Sequence, residues 1–229
     1  MVNTTCNCLD CIKKSTVFTN LSKEELKLFN EHRYDARYYA GEIIFKQGTA
    51  MTHLMSFTSG LAKVYIEGFN NRNIILKLIK PGEFVGGPGL YTDFKHHFTV
   101  RAVEDSKACF IEMGVFKKVM NENPDFAVDA HKNSNLDTLN NFQKFISLTQ
   151  KQMPGRVADA LLYLLNDIYQ ENPFKMTLTR QELADMTALS KESAIRILKQ
   201  FKDDKIIRVN GDSIDVLNVA ALNEISRIG

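Results

Sequence analysis

Residues 179–201, TRQELADMTALSKESAIRILKQF, constrain the chain most, because two capped helices and the turn between them are legible in their local spacing. Thr179 and Glu182 stand three apart, the pattern in which a hydroxyl and a carboxylate satisfy each other's backbone amides, and predict a helix from Arg180. Leu183, Ala184 and Met186 give that helix a buried side. Thr187, Ala188 and Leu189 interrupt it, and Ser190 is placed to cap a second helix. There Ala194, Ile197, Leu198 and Phe201 recur at i, i+3, i+4 and i+7, which makes one core face. Glu192, Arg196 and Lys199 fall opposite, and Lys191 lies in the exposed first turn. A short helix held by its back, with a polar and partly basic front, has the form needed to enter a major groove.

The chemistry of that front points the same way. Arginine donates two hydrogen bonds to a guanine edge, and glutamate accepts from cytosine. Other cationic and hydroxyl groups contact phosphate and fix position without reading sequence. The candidate DNA-contacting set is Arg180, Gln181, Ser190, Lys191, Glu192, Ser193, Arg196 and Lys199. Residues 174–208 hold eight Lys or Arg against five Asp or Glu, and the whole chain carries a formal charge of only +2. Basicity this mild implies that affinity comes from two such units acting together. Beyond the second helix, Ile206–Val209 and Ile214–Val216 flank Asn210-Gly211-Asp212, a strong hairpin signal and the expected wing of a winged helix.

Upstream the pattern differs. Ser22 and Glu25 predict a capped helix over 21–33, with Leu21, Leu26, Leu28 and Phe29 as its apolar stripe. From residue 34 to 113 glycines punctuate short segments, at Gly41, Gly48, Gly60, Gly68, Gly82, Gly86, Gly87 and Gly89. Ala62, Val64 and Ile66 alternate with Lys63, Tyr65 and Glu67, as a half-buried strand does. Ile74, Leu76 and Leu78 repeat the pattern after Asn70–Asn71, and together these segments indicate an antiparallel β-roll. A short helix is expected over 114–124. A long one follows with Leu136, Leu139, Phe142, Ile146 and Met153 near a heptad seam, while Asn140, Asn141, Gln143 and Lys144 keep its other faces wet. Over 132–153 it would span about 33 Å. Its narrow stripe predicts pairing with the same helix of a second subunit, and Pro154–Gly155 is expected to break it at a domain boundary. Val157, Leu161, Leu164, Leu165 and Ile168 predict one more helix.

The expected fold class is therefore α+β: an antiparallel β-roll, a long dimerisation helix and a C-terminal winged helix-turn-helix. The expected domains are a cysteine-bearing segment at 1–20, a sensory roll at 21–124, the dimerisation helix at 125–153 and the DNA-binding domain at 154–229. No stretch is long and apolar enough to cross a bilayer and no signal-peptide core opens the chain, so a cytoplasmic location is expected. Nucleophile elbow, Walker loop, zincin motif and a cupin's convergent His and carboxylate set are all missing from the sequence, which argues against an enzyme. A regulatory module that binds a nucleotide or metal and acts by protein contact is the rival class, and the winged helix counts against it.

These residues resemble the Crp/Fnr superfamily of bacterial transcription regulators over about residues 20–225. Arg180-Gln-Glu-Leu-Ala and Ser190-Lys-Glu-Ser-Ala-Ile-Arg196 are close to the family's RQE(I/L) and S-R-E-T-x-x-R signatures. The resemblance implies that Lys191, Glu192 and Arg196 read base pairs and that Arg180 contacts the DNA backbone. It further implies a two-fold symmetric operator, a homodimer and RNA polymerase as a partner. Lys191 stands where arginine is usual, which weakens bidentate guanine reading, and Ala188 stands where the turn often has glycine. Residues 41–48 and 81–86 are similar to the family's cyclic-nucleotide-binding roll, which points to an effector pocket around Gly82, Glu83, Phe84, Gly86, Gly87, His96 and His97. Nucleotide-binding members carry a glutamate where this chain has Gly87, and an Arg-Ser or Arg-Thr pair where it has His96–His97. Cyclic AMP is accordingly not the expected effector.

Three of the four cysteines, Cys6, Cys8 and Cys11, crowd at the N-terminus, and Cys109 lies far downstream. Such a cluster suggests metal or redox chemistry, or else incidental thiols on a tail. Some relatives hold a [4Fe–4S] cluster with three N-terminal cysteines and one in the roll, and Cys109 aligns with that distant ligand. The spacing here, C-x-C-x2-C, is tighter than the C-x2-C-x5-C of those relatives, and zinc is a further option. Haem-binding relatives make His53, His96, His97 and His131 candidates as well, although their spacing singles out none. On a strand, His96 and His97 would point to opposite faces.

Overall fold

The computed structural model describes residues 7–11 and 15–229. Cys6 lies outside the described residues. The chain divides into two compact units, Met1–Val64 with Leu78–Leu139, and Tyr65–Lys77 with Asn140–Gly229.

In the first unit, α1 (Lys23–Glu31) starts at the expected cap: Ser22 Oγ accepts from the Glu25 amide and the Glu25 carboxylate accepts from the Ser22 amide. The roll strands follow as β1 (Arg33–Tyr38), β2 (Ile43–Phe45), β3 (His53–Ser59), β4 (Ala62–Ile66), β5 (Ile74–Ile79), β6 (Phe84–Val85), β7 (Thr99–Ala102) and β8 (Ser106–Glu112). They form two four-stranded sheets, ordered β1-β8-β3-β6 and β2-β7-β4-β5. The β3–β4 turn needs Gly60, whose φ is +88° and whose added Cβ would lie 2.5 Å from the Asp105 carbonyl oxygen. The core is aromatic. Phe18, Phe29, Phe84, Phe116 and Phe126 interlock with ring centroids 5.1 to 6.3 Å apart, mixing edge-to-face and stacked pairs. Each such ring contributes about 1.5–3 kcal/mol by burial.

The alternation expected of β4 does not hold. Lys63 and Tyr65 are buried along with Ala62 and Val64, whereas Ile66 is exposed. The strand lies inside its sheet between β7 and β5, and a strand covered on both faces loses the one-sided pattern that period-two reading assumes.

Next come α2 (Met113–Glu122) and α3 (Pro124–Gln150). Pro124 opens α3, where its missing amide costs nothing, and Asn123 caps it through Phe126 N at 3.0 Å. The helix expected at 125–153 therefore starts one residue away from its expected beginning and stops short of its expected end. Met153 does not sit on it. Lys151 and Gln152 separate the two helices, and α4 (Met153–Tyr163) carries Pro154 in its own first turn. Proline here starts a helix rather than breaking one. Leu136, Leu139, Phe142 and Ile146 are all exposed along α3, and Phe145 joins them. Lys144 is half-buried and not wet as expected, because α4 brings Asp159 to its side of α3.

The second unit continues from α4 into a π-helical turn (Leu164–Tyr169), so Leu164 and Leu165 stay buried while the regular helix stops at Tyr163. Then follow β9 (Phe174–Lys175), α5 (Arg180–Thr187), α6 (Lys191–Asp203), β10 (Ile207–Asn210), β11 (Ser213–Val216) and α7 (Val219–Ile228). The small sheet is ordered β10-β11-β9. Among the described residues no helix is long and apolar enough to cross a membrane.

Candidate nucleic-acid interface and sensory sites

Local hydrogen bonding fixes the helix-turn-helix. Thr179 Oγ1 accepts from Glu182 N at 3.2 Å while the Glu182 carboxylate accepts from Thr179 N at 2.7 Å. Ala188 ends α5 with φ +50° and ψ +43°, the left-handed conformation that the turn demands and that glycine adopts more cheaply. Buried Thr187 helps hold the turn, donating to the Leu183 and Ala184 carbonyls. Ser190 then caps α6 by accepting from Ser193 N at 3.1 Å.

Ala194, Ile197, Leu198 and Phe201 anchor α6 by its back. Lys191, Glu192, Arg196 and Lys199 are exposed on its front, and Ser193 is half-buried. Ile195 is the residue the sequence reading missed. It is 43% exposed between Glu192 and Lys199 on the polar side, and an isoleucine excluded from the core face was the available signal. The Glu192 carboxyl lies below the usual carboxylate range through hydrogen bonds from its own backbone amide and from Ser190, so it is an acceptor at neutral pH. Arg196 Nη2 rests 3.9 Å from Met153 Sδ. Gln181 donates to Asp185 at 2.9 Å, and Ser190 and Ser193 are engaged with each other at 3.1 Å.

Arg180 has a second attachment. Its Nη2 donates to the Gly211 carbonyl at 3.2 Å and its Nη1 sits 3.9 Å from Met176 Sδ. Gly211, φ +60°, occupies the two-residue turn between Asn210 and Ser213. The wing is further tied by Asn172, whose amide exchanges hydrogen bonds with Val216 N and O at 2.9 and 3.0 Å, and by the cross-strand pair Arg208–Asp215 at 3.3 Å.

Within the roll, the residues expected to line a pocket take different roles. Phe84 belongs to the aromatic core. Glu83 is held in its turn, accepting from Lys80 N at 3.0 Å. Gly82 has φ +93° and Gly86 packs near Leu54. Gly87 has φ +106°, and a Cβ there would meet the Phe98 ring at 3.3 Å, so no glutamate fits that position without strain. His96 and His97 are not on a strand. His96 is buried, stacked on Phe45 with centroids 4.0 Å apart, and burial lowers its pKa so that it stays neutral. His97 faces outward and pairs with Asp93 at 2.9 Å. Among the described residues His96 Nδ1 and Arg101 Nε are buried with no hydrogen-bond partner, which marks places for a ligand or water polar atom.

Of the cysteines, Cys8 packs against the core cluster to which Cys109 belongs. Arg33 Nη1 lies 3.6 Å from Cys109 Sγ. Hydrogen bonding from Cys109, opposed by burial and helped by the Arg33 charge, lowers the Cys8 thiol to about 7. The Cys8 hydrogen bond and burial push the Cys109 thiol up. Among the described residues no three His, Cys, Asp or Glu side chains gather as metal ligands. Among the described residues two thiols come together, against the four ligands of a [4Fe–4S] cluster or a structural zinc set, and Cys6 lies outside those residues. The haem candidates are scattered: His53 packs against Tyr34 with centroids 5.1 Å apart, and His131 is exposed on α3.

Comparison with known proteins places these features in context. The profile of the cyclic nucleotide-binding domain matches residues 36–123, and that of the Crp-like helix-turn-helix domain matches residues 155–225. The cAMP-activated global transcriptional regulator CRP of Salmonella typhimurium is 25% identical over 195 residues, covering 83% of this chain and 93% of its own. The transcriptional activator protein FnrL of Cereibacter sphaeroides is 26% identical over 214 residues, covering 89% of this chain and 85% of its own. The structure of FixK2 from Bradyrhizobium japonicum shares the fold, with a TM-score of 0.77 at 18% identity over 84% of this chain and 96% of its own.

Proposed function

Because the chain belongs to the Crp/Fnr family of DNA-binding transcription regulators, we propose that it reads a two-fold symmetric operator as a homodimer, with α6 of each subunit in a major groove. It is a regulator and not an enzyme. The observation that carries the reading is the division of α6 into a back buried through Ala194, Ile197, Leu198 and Phe201 and a front exposing Lys191, Glu192, Ile195, Arg196 and Lys199. In this reading Lys191, Glu192 and Arg196 contact base edges, Lys199 contacts phosphate, and Gln181, Ser190 and Ser193 position the first turns against the backbone. The stripe of Leu136, Leu139, Phe142 and Ile146 on α3 pairs with its copy. RNA polymerase at the promoter is the further partner, and the protein works in the cytoplasm.

The roll takes a small effector other than cyclic AMP. Gly87 supplies no carboxylate for a ribose, and neutral His96 lacks the fixed charge of a phosphate-binding arginine. His96 Nδ1 and Arg101 Nε are the groups left for such an effector to satisfy.

The test is selection of a binding site from random duplexes, followed by titration of Arg196→Ala. The expected result is a palindromic site, and a loss of about 1–3 kcal/mol with relaxed preference at one position per half-site. Unchanged affinity and specificity in that variant would overturn the assignment. Cyclic AMP is expected to leave both operator affinity and melting temperature unmoved.

A further inference from the structure

Cys109 lies on β8 with its thiol in the core of the roll, only 8% exposed, and Cys8 packs against the same core from the N-terminal segment while keeping solvent access. Asn30, on α1, controls how they meet. Its Oδ1 accepts from Cys8 N at 3.1 Å and from Arg33 Nε and Nη2 at 3.3 and 3.2 Å. The same guanidinium reaches Cys109 Sγ through Nη1, and its other partner is Asp35. One amide oxygen thus fixes both the backbone of Cys8 and the cation on Cys109. The Cys8 backbone and the Cys109 thiol are thus gathered on one Asn30–Arg33 unit beside the same core, the proximity that an S–S bond of about 2.05 Å requires.

We infer that Cys8 and Cys109 form a reversible intramolecular disulfide, an oxidative modification site whose oxidant is a small-molecule disulfide. Cys8, the accessible thiol, attacks as its thiolate. The S–S bond of the reagent breaks, a mixed disulfide forms on Cys8, and the first reagent thiolate leaves and takes up the proton Cys8 gave to solvent. Cys109 then loses its proton and attacks Cys8 Sγ. The mixed disulfide breaks, the Cys8–Cys109 bond forms, and the second reagent thiolate leaves with that proton. Two protein thiols have lost two electrons and two protons, and one reagent disulfide has become two thiols. The reverse exchange restores the thiols, and Arg33 stabilises the developing Cys109 thiolate in both directions.

The experiment equilibrates full-length reduced protein with oxidised and reduced glutathione at several ratios, without oxygen, then alkylates the free thiols and maps the peptides. Cys6, Cys8 and Cys11 share one tryptic peptide, so a Cys6→Ser/Cys11→Ser variant is mapped beside the parent. The expected result is a bridge to Cys109 in both, with midpoints at the same ratio, and its loss in Cys8→Ser. A bridge that survives Cys8→Ser, or fails in the double variant, overturns the assignment. So does iron with sulfide held through Cys8 and Cys109 in protein purified without oxygen. A thermal melt of Cys8→Ser confirms that the half-exposed substitution leaves the fold intact. Operator affinity, read on the same samples, separates this inference from the proposed function: DNA binding without the bridge counts against the disulfide alone, and the bridge without DNA binding counts against the regulator reading alone.

Discussion

Arg180 Nη2 donates to the Gly211 carbonyl across 3.2 Å, joining the first turn of α5 to the tip of the wing. A residue expected only to touch DNA is thereby also a strut. Arg180→Ala should weaken binding about equally across operator sequences and reduce the salt slope by about 1. It should also raise amide exchange across residues 210–213. An unchanged salt slope would mean that Arg180 is a strut only, and unchanged exchange that it is a contact only.

Ile195 puts an apolar side chain among the polar groups on the exposed front of α6, and the apolar group on a base edge is the thymine methyl. Replacing single thymines of the selected operator by uracil should cost the parent about 1 kcal/mol at one position per half-site, since roughly 0.8 kcal/mol attends each buried carbon. Ile195→Ser should lose that sensitivity while keeping the Arg196-dependent preference. Equal thymine-to-uracil penalties in both proteins would show that Ile195 reads no methyl.

Phe142→Glu, placed in the exposed stripe of α3, should convert the protein to a monomer in sedimentation without unfolding it, because Phe142 is already 59% exposed in the single chain. Operator affinity should fall on the order of 10²–10⁴-fold with the second binding unit gone. A dimer that persists in this variant would place the subunit contact elsewhere.

Lys144 supplies a pH test. Burial lowers its amine from an ordinary 10.5 to about 8, with nearby Asp159 pulling the other way. Between those values the unfolded chain holds a proton that the folded chain has released, so this group's contribution to stability rises with pH through the window. Below about pH 8 the penalty of burying the charge is complete. Lys144→Met should therefore be the more stable protein at pH 7, by about 1–3 kcal/mol after allowing for partial solvation. The difference should close toward pH 10.5. Asp159 keeps Lys151 and the Ser147 and Ser226 hydroxyls at 2.8, 2.6 and 2.5 Å, so the variant does not strand a charge. A difference that is constant with pH would remove Lys144 as its source.

What was legible in the residues was what is local. The caps at Ser22, Thr179 and Ser190 depend on partners three residues away, and all three form as read. The wing was equally visible, although the turn's central pair is Gly211–Asp212, with Asn210 paired in the strand and Gly211 alone supplying the positive φ. Features decided by packing were not. The β9 strand is two residues long, too short for any period, and exists because β11 offers it an edge. Pro154 reads as a breaker until the chain supplies a new helix for it to begin. Lys144 looked solvated because nothing near it in sequence announces Asp159. The meeting of Cys8, Arg33 and Cys109 spans more than a hundred positions, and only the pairing of β1 with β8 brings the last two together.

The exposed stripe on α3 makes abundance an input in its own right. If only paired chains grip the operator, the species that acts accumulates as the square of free monomer while monomer predominates, and occupancy climbs more steeply than the protein's own concentration. Modest changes in synthesis or degradation then act as signals, added to whatever the roll detects. A cell could retune the threshold by altering Leu139 or Ile146 alone, with the reading head and the sensor left untouched.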